Sequence, residues 1–331
     1  MQRVRLKEVA EAAGVSINTA SRALNGKSEI SPETRAKVLE VAAKLGYRPN
    51  RLARALRSNK TNVVGVIVGD IANPYFATLV RGIVKATRAY DYSVILQSTD
   101  EEYEREQEAV EVLLADRVDG VLITPTQKGA ETIEGLKKSE LPFVLMSRYF
   151  SDLDTDYVIM DDFQGGFLAT EHLLKRGCKR VAMVNGPLHI SSARERFEGY
   201  KQALAKYGIP FDSSLVVTGA LTMENGYEAV LQLVRKATLD GIFAFSDFVA
   251  FGVIKALREH GIRVPEDVAV VGFDDVVFAS CFEIPLTTVG GDTEMIGYKA
   301  AELLIRKLNG GGVTERSHIR LPVRLVVRAT A

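Results

Sequence analysis

A small all-α head followed by a two-lobed α/β body of parallel, doubly wound sheets is the fold class this sequence predicts. Three observations carry the prediction. The first 46 residues read as short helices punctuated by Gly and Ser-Pro, whereas from Val63 onward apolar strand-like runs alternate with amphipathic helices. The 331-residue chain is also long enough for two or three self-supporting cores. Charge divides at the same boundary: residues 1–60 hold 13 Lys+Arg against five acids, a net +8. The whole chain is neutral, so residues 61–331 hold −8. A basic head on an acidic body suggests a polyanion-binding part joined to a part with another task.

Composition excludes several classes. Hydrophobic residues make up 47% and charged residues 25%, which argues against disorder, collagen and a membrane bundle. Apolar runs such as Val63 to Val68 are too short to span a bilayer, so no membrane partner is expected. Met1 to Glu8 carries no apolar signal core, and the two cysteines, Cys178 and Cys281, form no disulfide framework. The expected place is a reducing cytoplasm.

In the head, Leu6 to Ala13 predicts a first helix ended by Gly14. Ser16 predicts the cap of a second, Ile17 to Leu24, which stops at Asn25-Gly26. Ser31 and Pro32 open a third that runs to Leu45 before Gly46. Ala10, Gly14 and Ser16 have helix-turn-helix spacing: a small residue for close approach, a left-handed turn residue and a cap. Val9, Val15, Ala20, Leu24, Val38, Val41 and Leu45 are expected to form one small core. That leaves Ile17, Asn18, Ser21, Arg22 and Asn25 on one exposed face, which suits a major-groove reader because Arg and Asn can pair with base edges. After the break at Tyr47 to Asn50 comes a short basic segment, Arg51 to Arg57, and then a polar linker.

In the body, strands are expected at Val63–Val68, Ser93–Gln97, Gly120–Ile123 and Phe143–Met146, with helices at Phe76–Tyr90, Glu102–Ala115 and Ala130–Lys138. A second series has strands at Val181–Val184, Leu215–Val217, Ile242–Phe245 and Val268–Gly272. Its helices are expected at Gly166–Lys175, Ala193–Tyr207, Glu224–Lys236 and Phe248–His260. Two such series predict two lobes, with ligands at the carboxyl ends of the strands.

Val9-Ala10-Glu11-Ala12-Ala13-Gly14-Val15-Ser16, then Thr19-Ala20-Ser21-Arg22-Ala23-Leu24-Asn25-Gly26, resembles the head of the LacI/GalR family of bacterial transcriptional regulators. Gly46-Tyr47-Arg48-Pro49-Asn50 with Ala53 and Leu56 is similar to the same family's next landmark. The likeness continues through Asn73-Pro74-Tyr75-Phe76, Arg117-Val118-Asp119-Gly120, Gly186-Pro187, Val270 to Asp275 and Pro285-Leu286-Thr287-Thr288. It implies a helix-turn-helix domain at 1–47, a hinge helix and linker at 48–62, and an effector-binding and dimerisation domain at 63–331. The implied body resembles periplasmic sugar-binding proteins, with one lobe near 63–160 and 291–321 and the other near 161–290 and 322–331. Its crossovers are expected near Tyr157–Asp162, Thr287–Asp292 and Arg320–Val323.

The resemblance implies a palindromic operator as DNA partner, a homodimer, and a small sugar-like effector. A sugar or sugar phosphate is the first expectation and a nucleoside or purine the second. No cofactor or metal is expected. The DNA-facing set is Leu6, Ser16, Ile17, Asn18, Thr19, Ser21, Arg22, Asn25, Asn50, Arg51, Ala53, Arg54, Leu56 and Arg57. Leu56 is the implied wedge in the minor groove, where unstacking is offset by a bent duplex. The implied effector set is Asn73, Tyr75, Phe76, Thr126, Arg148, Asp161, Ser192, Arg196, Leu221, Ser246, Asp247 and Asp274. Arg196 and Asp274 stand out, since a guanidinium and a carboxylate can hold adjacent sugar hydroxyls. Three positions depart from the pattern: Ser147 where Asp is frequent, Leu221 where an aromatic ring is frequent, and Gly291 where Gln is frequent.

Enzyme signatures are missing. Gly26-Lys27-Ser28 has no preceding strand and lacks the first glycine of a phosphate loop. There is no Gly-x-Ser-x-Gly elbow and no dinucleotide glycine motif in the first strand–helix unit. His172, His189, His260 and His318 have no metal-ligand spacing. The rival to an effector-controlled regulator, a repressor on the family pattern, is a sugar-binding protein of the periplasmic type, for which an export signal and no basic head would be expected.

Overall fold

The computed structural model describes residues 4–24, 29–47, 60–281, 283–310 and 316–331. The chain divides into two compact units, Met1–Thr61 and Asn62–Ala331.

The described residues of the head form three helices, α1 Leu6–Ala13, α2 Ile17–Leu24 and α3 Pro32–Lys44. Gly14 ends α1 at φ 65°, and Val15 N–H then donates to Ala10 O at 3.0 Å, a six-residue closure that only a left-handed residue allows cheaply. Ser16 Oγ accepts from Thr19 N–H at 3.0 Å and so starts α2. Ser31 Oγ does the same for α3 through Thr34 N–H. Val9, Ala10, Ala13, Ala20, Ala23, Val38 and Ala42 form the buried core, with Val15, Leu24 and Val41 packed half-buried against it. Leu45, expected in this core, is instead 40% exposed. It caps the end of α3, where Gly46 turns left-handed and Tyr47 folds back to donate its N–H to Ala42 O. Tyr47 thereby covers the core where Leu45 was expected.

The body holds two six-stranded sheets. The first comprises β1 Val63–Val68, β2 Ser93–Ser98, β3 Gly120–Ile123, β4 Phe143–Met146, β5 Tyr157–Met160 and β11 His318–Leu321, in the order β11-β5-β4-β3-β1-β2 and parallel throughout. The second comprises β6 Val181–Val184, β7 Val216–Val217, β8 Gly241–Ala244, β9 Ala269–Phe273, β10 Thr287–Gly290 and β12 Arg324–Val326, in the order β12-β10-β9-β8-β6-β7. Its edge strand β12 pairs with β10 antiparallel, a departure from the all-parallel expectation. The chain leaves the cavity end of β11 and enters β12 directly through Pro322-Val323, so β12 starts where its neighbours end and runs against them. It passes between the sheets three times: after Met160, after Gly290 and between Leu321 and Arg324.

Central strands such as β3 and β8 are buried along their whole length, as expected for parallel strands covered on both faces. Several of the covering helices begin a residue or more earlier than the apolar pattern suggests, where a polar cap starts them. Asn73 caps α4 Pro74–Arg88, Asp161 caps α7 Asp162–Lys175 and Ser246 caps α10 Asp247–Glu259. Between these lie α5 Tyr103–Ala115, α6 Glu131–Lys138, α8 Ser191–Lys206 and α9 Met223–Lys236. One further helix, α11 Thr293–Leu308, has no counterpart among the elements expected from sequence. It packs on α4 and on β3, β4 and β5, with Ile296, Ala300, Ala301, Leu303, Leu304 and Ile305 buried. Burial on several sides blurs the single apolar stripe by which such a helix is recognised.

Candidate functional site

A cavity of about 670 Å³ opens where the carboxyl ends of the two sheets face each other. Its walls come from the residues that follow the strands, the usual ligand position in open α/β sheets. Asn73, Tyr75 and Phe76 follow β1, Glu101 follows β2, Thr124 and Thr126 follow β3, and Ser147 and Arg148 follow β4. From the other lobe come Asp162, His189, Ser192, Arg196, Leu221, Phe245, Ser246 and Asp274.

Arg196 reaches the cavity from α8, which lies close to α7. A Cβ on Gly166 would strike the Arg196 backbone, so glycine there sets the approach. The Arg196 Nε donates to Asp162 Oδ1 at 2.7 Å and Nη1 donates to Phe245 O, while Nη2 stands 3.7 Å from Asp274 Oδ1. Its guanidinium carbon lies 3.5 Å from the Phe273 ring centroid and 4.6 Å from that of Phe245, so two rings clamp the plane. Arg196 is only 6% exposed. Burial pushes the Asp274 carboxyl up to about 7, with Asp162 adding to the rise and Arg196 opposing it. Burial raises Asp162 as well, against the pull of Arg196. The Asp274 backbone is strained, at φ 108°, and its N–H donates to Val289 O at 2.7 Å.

On the opposite wall the Tyr75 hydroxyl and Ser147 Oγ lie 2.7 Å apart, and burial raises the Tyr75 phenol. Arg148 is buried and bound at both ends of its guanidinium by Glu101. Thr126 N–H donates to Glu106, a fully buried carboxyl that burial raises. Asn73 and Ser246 line the cavity while capping α4 and α10, so their backbone contacts hold them in place.

Ten of the twelve effector positions expected from sequence therefore border one cavity. Asp161 and Asp247 do not. Asp161 is the cap of α7: it accepts from Gln164 N–H at 3.1 Å and lies 3.6 Å from Arg320, and it is the next residue, Asp162, that the helix turns into the cavity. Asp247 is fully buried beneath the wall, accepting from Val276 N–H at 2.8 Å and from the Thr288 hydroxyl, so it positions the loop carrying Asp274. Sequence reasoning missed Asp162, Glu101, His189 and Phe245. Phe245 was read as the end of a strand, and Glu101 sits in a strand-to-helix loop whose position alone was the available signal.

In the head, Ile17 is 48% exposed, Asn18 and Arg22 are also exposed, and Ser21 is half-buried beside them. Arg22 Nη1 pairs with Glu29 at 2.6 Å. Ser16 and Thr19 are engaged with each other through their hydroxyls, and Leu6 packs against the head core. Asn25, Asn50, Arg51, Ala53, Arg54, Leu56 and Arg57 lie outside the described residues. Among the described residues no group of His, Cys, Asp or Glu could hold a metal ion, and no helix is long and apolar enough to cross a membrane.

A helix-turn-helix head with an exposed polar face, together with a two-lobed body enclosing a polar cavity, defines a ligand-responsive DNA-binding protein. Residues 5–50 match the family described as bacterial regulatory proteins, lacI family. Residues 61–329 match the periplasmic binding proteins and sugar binding domain of LacI family. The chain is 37% identical to catabolite control protein A of Priestia megaterium, over 98% of each chain. Among solved structures it is similar to the lac repressor dimer bound to operator and the anti-inducer ONPF, with TM-score 0.88 and 29% identity over 99% of each chain. It is also similar to a transcriptional regulator CelR–cellobiose complex, with TM-score 0.77 and 32% identity over 99% of this chain and 100% of that one. The chain belongs to the LacI family of bacterial regulators. It is a DNA-binding transcriptional regulator of the repressor type, with an effector-binding domain; it is not an enzyme.

Proposed function

We propose that the effector is a sugar held between the two lobes, and that its binding changes operator affinity by altering the lobes' relative angle. The observation that carries this reading is the Arg196–Asp162–Asp274 cluster: one guanidinium and two carboxylates side by side on the wall of a cavity of about 670 Å³. Donors and acceptors at that spacing suit neighbouring hydroxyls, and the similar CelR structure holds cellobiose. Asn73, Thr126, Arg148, Ser192 and Ser246 would supply further polar contacts, and Tyr75, Phe76 and Leu221 apolar ones.

On the DNA side, Ile17, Asn18 and Arg22 are the proposed base readers, with Ser16, Thr19 and Ser21 near the backbone. Residues 48–62 are the proposed hinge, Leu56 its wedge and Arg51, Arg54 and Arg57 its phosphate contacts. A protein that binds chromosomal operators works in the cytoplasm. Coupling between effector and operator is typically 1–3 kcal/mol, roughly 5–150-fold in affinity.

A thermal-shift screen of sugars, sugar phosphates and nucleobases, followed by operator titration with each hit, tests this. A sugar at 100 times its dissociation constant should add about 2.7 kcal/mol to stability and change operator affinity. Stabilisation by a nucleobase alone would overturn the sugar reading.

A further inference from the structure

The second arginine of the cavity is already occupied. Arg148, 5% exposed, receives the Glu101 carboxylate in a two-point grip: Nη1 donates to Oε2 at 2.7 Å and Nη2 to Oε1 at 2.7 Å. Its Nη1 also donates to Pro125 O at 2.9 Å. Two parallel N–H···O bonds are the geometry with which arginine holds a ligand's carboxylate or phosphate. Here a residue 47 positions away in the same chain fills it.

Several features hold Glu101 there. Asp100 and Glu101 both adopt left-handed backbone, at φ 50° and 60°, an unusual state for two consecutive residues with side chains. Buried Thr99 fixes the turn: its hydroxyl donates to Val68 O at 3.3 Å and accepts from Glu101 N–H at 3.3 Å. Gly69 opposite has no Cβ, and one built there would take the place of Glu101 Oε1. Asp70, Asp100 and Glu102 also line this side of the cavity, Asp100 and Glu102 paired with Arg105, and Lys128 lines it too.

We infer that Glu101 is a built-in anion that occupies the phosphate-gripping geometry of Arg148, so that the cavity admits a neutral sugar and turns away its phosphorylated or acidic forms. An anionic ligand would have to displace Glu101, stranding a carboxylate in the wall, or lie beside it against like charge. The neutral half of this assignment rests on the sugar reading. The exclusion of anions does not.

The experiment is calorimetry on the full chain with inorganic phosphate and with two probe pairs, ribose and ribose 5-phosphate, glucose and glucose 6-phosphate. Wild type, Glu101→Ala and the double variant Glu101→Ala/Arg148→Met are compared, with Glu101→Gln as substitute should the alanine variant not fold. Wild type should bind none of the three anions measurably. Glu101→Ala should bind at least one about 10-fold or more tighter, and the double variant should lose that gain. The assignment is overturned by a wild type that binds a sugar phosphate more tightly than its parent sugar. It is equally overturned by Glu101 variants with no gain for any anion, or by a gain that survives loss of Arg148. A wild type that binds neither ribose nor glucose, alongside an anion gain in Glu101→Ala, would remove those two sugars as effectors while leaving Glu101 as the anion filter.

Discussion

The head and the body use polar side chains in opposite ways. In the head, the candidate recognition residues Ile17, Asn18 and Arg22 stand in solvent over a core built largely of alanine and valine. Their positions follow from α2 alone, and Arg22 engages an exposed partner, Glu29. In the body, the candidate ligand residues Arg148, Arg196, Asp162 and Asp274 are buried, and each arginine is bound by the protein's own carboxylates. A solvent-facing site can change its residues at little cost to stability. A buried one is more sensitive, because removing the shared counter-charge strands its partners in a medium that solvates them poorly.

The sharpest break in this contrast should come from Arg196→Ala. With Asp162 and Asp274 left without their shared counter-charge, the body should lose about 3–5 kcal/mol of stability at neutral pH, read from urea unfolding. A loss below about 1 kcal/mol would mean that the buried cluster tolerates change as readily as the head's surface. Asp274→Asn should act in the other direction. The Asp274 carboxyl is raised from 3.8 to about 7 in the folded chain, so its favourable contribution is present at low pH and lost as pH rises through about 7. The variant should therefore be more stable than wild type at pH 8, by up to about 4 kcal/mol, since each pH unit between the ordinary and native values carries about 1.4 kcal/mol. The difference should vanish near pH 4, and a constant difference across that range would assign the effect to packing. Arg22→Ala is the smallest and tests the head. It should cost about 1–3 kcal/mol of operator binding per half-site and relax base preference there. Its unfolding free energy should stay within about 0.5 kcal/mol of wild type, as for an exposed substitution. Equal weakening on operator and scrambled duplexes would reduce Arg22 to a phosphate contact.

The same contrast separates what was legible in the sequence from what was not. Gly14, Ser16 and Ser31 act on their own helix ends through bonds to residues at most four positions away, and Pro32 through its fixed backbone angle, so the three head helices could be placed from local chemistry. Strand–helix alternation marked two lobes, and the strand ends marked where the cavity lies. Leu45 was misplaced because a single turn at Gly46 decides whether it or Tyr47 covers the core. Helix α11 was missed because it is buried on several sides and shows no clean stripe.

By itself the sequence determined the family, the helix-turn-helix, the alternating body and ten of the residues that border the cavity, because caps, turns and apolar periodicity act over a few neighbouring residues. Only the tertiary structure decided that Asp162 and not Asp161 enters the cavity, that Asp247 lies beneath the wall, and that Glu101 fills the grip of Arg148. Those outcomes depend on a helix's rotation, on the stacking of distant strands and on the gap left by Gly69. No residue specifies these alone: they arise when segments far apart in the chain are packed at fixed distances, and buried charges then take whichever partner that packing brings within reach.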